Sequence, residues 1–147
     1  MVKTSDILIV SAPYYEDITN ELVLGAVSEI ENQGFSHDIV TVPGAFEIPA
    51  AIKIISDSQY FKGFIALGCV IRGETSHYDY VCYESARGLN HLALVHNLAI
   101  GFGLLTVENF SQAWERAARD KGNKGSQAAS ACIAMIKLKL RFVQEKK

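Results

Sequence analysis

The chain has 147 residues, 49% of them apolar, with 14 basic against 16 acidic side chains and a net charge of −2. That length suits one hydrophobic core and is short for two, so a single domain spanning 1–147 is expected. The near-balanced charge, with no like-charged block before the last few residues, argues against nucleic acid or an anionic membrane as the main partner.

Asp6 to Ala12 reads as a buried strand closed by Pro13. From Glu16 to Gln33, apolar residues at Ile18, Leu22, Val23, Ala26, Val27 and Ile30 keep helical spacing, and Gly34 follows where a helix end wants a glycine. A second strand, His37 to Val42, ends at Pro43 and Gly44. The helix after it is expected from about Phe46 to Ser56, with Pro49 tolerated in its first turn. Phe64 to Ile71 is an unbroken apolar run of strand length. Ser76 and Asp79 look like a capped start for a long helix to about Ala99. That helix carries two apolar stripes, Tyr78, Val81, Cys82, Leu89, Leu92 and Ala93 on one side and Tyr80, Tyr83, Leu94 and Leu98 on another, which favours an oligomer. A fourth strand, Ile100 to Val107, leads into Asn109 and Gln112, a capping box for a short helix to about Arg119. After the glycines Gly122 and Gly125, a final helix is expected from Ser126 to Phe142.

Strands alternating with helices imply a parallel, right-handed sheet covered on both faces. The expected fold is a three-layer α/β/α sandwich with four strands in the flavodoxin-like order 2-1-3-4. Cys69, Cys82 and Cys132 stand far apart without metal-ligand spacing, so neither a disulfide framework nor a zinc site is suggested. The apolar run Ile7 to Val10 is too short for a signal peptide, and no stretch is long enough to span a bilayer, so a cytoplasmic protein is expected.

The carboxyl ends of parallel strands open on one side, where such sheets bind ligands. Tyr14, Glu47, the segment Arg72 to His77, and Glu108 fall there. Gly73 lets a ligand approach the backbone, Thr75 offers a hydroxyl, and the amides entering the next helix suit an anion; a plain capped turn explains the same residues. His77, in that first turn, can move protons near neutral pH or serve as a surface residue. His37, His91 and His96 have no comparable setting and are read as structural. Tyr14 can stack on a planar heterocycle or simply pack. Glu47 can cap its helix or accept hydrogen bonds from a polyol. Phe102 reads as core, except that Gly101 and Gly103 flank it, which hints at a close approach from outside. Arg116 and Lys124 cannot be assigned by spacing.

Taken together, VPGAFEIP (42–49), GCVIRGETSHYDYV (68–81), GFGLLTVEN (101–109), the WER ending at Arg116, and NKGSQAA (123–129) resemble the lumazine synthase family over almost the whole chain. The resemblance implies a cofactor-free condensation of 5-amino-6-(D-ribitylamino)uracil with 3,4-dihydroxy-2-butanone 4-phosphate, the penultimate step of riboflavin synthesis. It implies that Tyr14 stacks on the pyrimidinedione. Gly44, Ala45, Phe46 and Glu47 would hold the ribityl chain and ring, and Cys69, Val70 and Ile71 would line the ring through their backbone. Gly73, Glu74 and Thr75 would form the phosphate turn, with His77 the proton shuttle. Phe102, Arg116 and Lys124 would come from an adjacent subunit, Arg116 on the phosphate. Implied partners are further copies of the chain, in a pentamer or a multiple of pentamers, with riboflavin synthase as a candidate associate. Gln127 departs from the acidic residue expected near Lys124, so an ion pair there is lost. The short segment before the first strand predicts a weakened N-terminal contact between subunits. Two other readings use the same scaffold: a module that holds a flavin or lumazine without turnover, and a flavodoxin-like electron carrier suggested by topology alone. His77, the RGET turn and Arg116 together favour the enzyme, because a binder of phosphate-free product needs neither a shuttle nor a phosphate clamp.

Overall fold

The structure, a computed structural model, describes residues 5–143. The expectation about the segment before the first strand therefore lies largely outside the described residues. The elements run β1 (Ile7–Ala12), α1 (Glu16–Asn32), β2 (His37–Thr41), a 3-10 turn (Ala45–Glu47), α2 (Ile48–Ser56), β3 (Gly63–Ile71), α3 (His77–His96), β4 (Ile100–Val107), α4 (Phe110–Ala117) and α5 (Lys124–Val143). All strand pairs are parallel, in the order β2-β1-β3-β4. Strand order and layering match the sandwich expected from the sequence.

Alternation along the strands supplies two cores. Ile7, Ile9, Ile65, Leu67, Leu105 and Val107 face α1, α4 and α5, where Ile18, Leu22 and Ile133 meet them. Leu8, Val10, Phe64, Ala66 and Leu104 face α2 and α3, against Ile48, Ile52, Leu89 and Leu92. Burial of each large aliphatic side chain is worth roughly 1.5–3 kcal/mol, so both helical layers are firmly attached.

Helix ends show where local chemistry differs from expectation. Gly34 has φ +84°; its amide bonds the Glu31 carbonyl and that of Phe35 the Ile30 carbonyl, a complete left-handed C-cap for α1. At α4, Asn109 Oδ1 accepts the Gln112 amide at 2.9 Å, while Gln112 Oε1 accepts the Glu108 amide at 2.8 Å. Helix α3 begins differently from the sequence reading. Ser76 makes no side-chain cap bond, and the Thr75 hydroxyl accepts the His77 amide instead at 3.3 Å. The helix stops at His96 because Asn97 turns left-handed, φ 56°. Gly125 does not interrupt α5 but belongs to its first turn: a Cβ there would lie 2.0 Å from the Leu22 carbonyl oxygen of α1. The close approach inferred from Gly101 and Gly103 is likewise made by α5, since a Cβ on Gly101 would stand 2.1 Å from the Ala128 carbonyl oxygen.

Helix α3 packs through only one of its two stripes. Val81, Leu89 and Leu92 are buried, whereas Tyr80, Tyr83 and Leu94 are 69%, 72% and 72% exposed. Among the described residues no helix is long and apolar enough to cross a membrane.

Candidate active site

The carboxyl ends of β1, β2 and β3 bring one group of predicted residues to a common rim. Tyr14 follows β1 and is 75% exposed, with its ring edge-on to half-buried Tyr15 at 4.9 Å. After β2, Ala45 is buried while Phe46 projects, and Glu47 caps α2 with its backbone without a side-chain bond to the helix end. The Glu47 carboxylate thus stands at the helix start, where the dipole favours it, without a hydrogen bond to the helix end. Strand β1 ends opposite Gly68, but β3 continues to Ile71 against β4. Cys69, Val70 and Ile71 thus run beyond their β1 neighbour, and the side of their backbone that turns away from β4 opens on the rim. Burial first, and nearby Cys82 second, push the Cys69 thiol up to about 11, which suits a lining group and not a nucleophile.

Beyond Ile71 the chain makes the turn Arg72 to Ser76. A Cβ on Gly73 would meet nothing within 4 Å, so the chain leaves space there for a ligand. Glu74, Thr75 and His77 are exposed, and His77 is the first residue of α3, at the positive end of the helix dipole, which favours an anion. Although the Thr75 oxygen already accepts the His77 amide, its hydroxyl proton can still be donated.

Phe102, Arg116 and Lys124 gather elsewhere, in a cleft of about 370 Å³ at the outer edge of β4, with Leu104, Thr106 and Gln127. Strand β4 ends the sheet, and its carbonyls at Ala99 and Val107 accept from Phe64 and Arg72 of the β3 side. Alternate residues, Phe102 and Thr106 among them, accordingly turn their backbone groups toward the cleft. Arg116 Nη1 bonds the Gln112 carbonyl at 3.0 Å, and Gln127 Nε2 bonds the Gly122 carbonyl at 2.9 Å. Neither Arg116 nor Lys124 forms an ion pair among the described residues, so the cleft presents cations to any anion that enters. Tyr14, Glu47 and His77 are absent from its lining. Within one chain the predicted residues therefore form two groups, a rim and a cleft.

One connection escaped the sequence reading. Arg72 Nε donates to Glu108 Oε2 at 2.8 Å, its Nη2 lies 3.4 Å from Asp79 Oδ1, and its guanidinium carbon sits 4.3 Å from the centre of the Tyr78 ring. A signal existed: Ile71 pairs with Val107, so opposite charges immediately after both strands are neighbours. Asp79 was read as part of a cap, and no cap bond from it is formed at Ser76. His91 and His96 lie toward the other end of α3, their rings 5.7 Å apart, away from the rim.

With this geometry in hand, residues 4–140 match the family model described as 6,7-dimethyl-8-ribityllumazine synthase. The chain belongs to that family. A 6,7-dimethyl-8-ribityllumazine synthase of Bartonella bacilliformis is 51% identical over 138 residues, 92% of this chain and 91% of the relative. One from Rhizobium meliloti, 6,7-dimethyl-8-ribityllumazine synthase 1, is 50% identical over 99% of this chain and 98% of its own length. A third, from Afipia carboxidovorans, is 48% identical over 94% and 88%. The span shared with the lumazine synthase family takes in both the rim and the cleft, so membership rests on the site-bearing segments as well as on the frame.

Proposed function

We propose that the protein is a 6,7-dimethyl-8-ribityllumazine synthase, joining 5-amino-6-(D-ribitylamino)uracil to 3,4-dihydroxy-2-butanone 4-phosphate in the penultimate step of riboflavin synthesis. The observation that carries this reading is an exposed imidazole on the first turn of α3, behind a glycine turn with open space before it, in a chain that also holds a cleft whose cations form no ion pair among the described residues. Tyr14 stacks on the pyrimidinedione, Cys69 to Ile71 meet the ring through their backbone, and Ala45, Phe46 and Glu47 receive the ribityl chain. Gly73, Glu74 and Thr75 surround the phosphate. The substrate amine attacks the ketone and water leaves to give an imine. Phosphate is then eliminated, and ring closure releases a second water. Each step requires aligned reactants and moved protons, which positioning and the imidazole of His77 provide. Because the nucleophile belongs to the substrate, no protein thiolate or cofactor is needed, in keeping with the raised Cys69 thiol.

The rim of one subunit is completed by the cleft of a neighbour, which supplies Phe102, Arg116 and Lys124. The guanidinium of Arg116 fits a phosphate as a planar fork. Support comes from the separation of the two groups in one chain and from the exposed stripe Tyr80, Tyr83 and Leu94 on α3. The assembly is a pentamer or a multiple of pentamers of single-domain chains, cytoplasmic, and open to association with riboflavin synthase. Mixing both substrates with the protein and following lumazine fluorescence tests the reading. Formation well above the spontaneous rate is expected, and none above that rate overturns it.

A further inference from the structure

We propose that Arg72 is a positioning residue for this reaction: it fixes the turn Gly73 to Thr75, and with it His77, by fastening the start of α3 to the end of β4. The proposal rests on the enzymatic reading above. It begins from the main chain, where the Arg72 amide extends the β3–β4 ladder by donating to the Val107 carbonyl at 2.9 Å. The side chain then reaches both flanks of the turn. On one side it bonds Glu108, the residue after β4, at 2.8 Å; on the other it meets Asp79 at 3.4 Å and lies over the ring of Tyr78, both in the first turn of α3. Tyr78 is itself braced, since its hydroxyl lies beside Thr106 of β4 and Cys82. The turn between these anchors has little support of its own. Gly73 touches nothing through a Cβ position, Ser76 makes no side-chain cap bond although its carbonyl accepts the Asp79 amide at 3.0 Å, and the Thr75 hydroxyl accepts the His77 amide. The guanidinium fork is thus the charged side-chain link from the sheet to the first turn of α3, beside the Tyr78 contact with Thr106.

An arginine beside a phosphate turn could instead be read as a phosphate ligand. The charges argue otherwise, because Arg72 stands between two carboxylates, so the local cluster carries a net negative charge and opposes an anion. Arg116 and Lys124 of the cleft, by contrast, form no ion pair among the described residues.

The two roles predict opposite effects for Glu108→Gln. If Arg72 is a strut, weakening its anchor slows catalysis in the same direction as Arg72→Met. If it is a ligand, removing the neighbouring charge frees the guanidinium and tightens inhibition by inorganic phosphate. Steady-state kinetics on the assembled enzyme, far below the thermal midpoint of each variant, decide between them. Arg72→Met is expected to lower kcat about tenfold or more, as small misplacements of a catalytic group do. Arg72→Lys should recover part of the loss. The double variant Arg72→Met/Glu108→Gln should be little slower than Arg72→Met alone, since both changes remove one interaction. A wild-type enzyme that works while Arg72→Met keeps full kcat overturns the proposal and leaves the functional reading standing. So does tighter phosphate inhibition in Glu108→Gln with additive effects in the double variant. A wild-type protein that forms no lumazine removes the functional reading, and the strut with it.

Discussion

The rim and the cleft are built in contrasting ways. The rim is assembled from three strand ends whose working side chains, Tyr14, Phe46 and His77, project into solvent from short turns. The cleft sits on a single edge strand and is shaped by a turn after α4 folded back so closely on that helix that glycine is required. A Cβ on Gly122 would lie 2.8, 2.9 and 2.9 Å from backbone atoms of Arg116 and Glu115. On the proposed reading, proton transfer falls to the rim, while the phosphate is shared between the rim's Gly73 to Thr75 turn and the cations of the cleft. Changes to the proton chemistry of the rim should be felt in rate, and changes in the cleft in affinity.

The sharpest way to break this contrast is His77→Ala, which should reduce turnover about a hundredfold while leaving a substrate analogue bound. Single-turnover rates equal to wild type would move the proton chemistry elsewhere. Arg116→Ala should raise KM for the phosphate substrate roughly tenfold to a hundredfold, the loss of a charged hydrogen bond, with kcat at saturation nearly unchanged. Assembling these two variants together from equal amounts should restore about a quarter of wild-type activity, because one site in four then pairs an intact rim with an intact cleft. No recovery on mixed assembly would place both halves of a site on one chain.

A smaller effect is expected from Gly122→Ala, whose methyl must displace backbone at a cost of about 1–3 kcal/mol. Thermal unfolding should report the loss, and KM should rise for the phosphate substrate but not for the pyrimidine. The mildest change lies at the amino ends of the strands, opposite the site. There Asp6 accepts the Ser36 amide at 2.9 Å and meets Lys62 at 3.0 Å. Its carboxyl is held below the ordinary 3.8, chiefly by the Ser36 amide, against partial desolvation and with help from Lys62. A lowered folded pKa stabilises above the ordinary value and is lost as pH falls through the folded one. Asp6→Asn should accordingly lower stability by about 1 kcal/mol at neutral pH. The difference should vanish in acid, and both KM values should stay as they were.

Much of the frame was legible because periodicity reports burial directly. Ile7 to Val10 and Phe64 to Cys69 are buried without interruption, and Asn109 caps α4 as read, with the Gln112 side chain returning to the Glu108 amide in place of that of Asn109. Errors arose where tertiary contact overruled a local preference. Gly125 looked like a break because the sequence does not reveal that α1 presses on it, and Asn97 ended α3 early by a backbone conformation that spacing cannot encode. At the site, the four strand ends predicted to open on one side do so, since topology alone carries them there, and Glu108 of the fourth meets Arg72 of the third. Spacing could not assign Arg116 and Lys124, for which the family resemblance alone implied a role; the β4 edge brings them into one cleft with Phe102. The Arg72 link to Glu108 was missed because it depends on register between distant strands.

Gly101 and Gly125 also limit how this protein could be redesigned. Helix α5 rests almost backbone to backbone on β4 through the first and on α1 through the second, so its position beside the cleft is fixed by contacts with no side chain left to trim. A version made to accept a bulkier acceptor would have to be carved from Phe102 and Gln127, which project into the cleft and whose replacement leaves that contact intact.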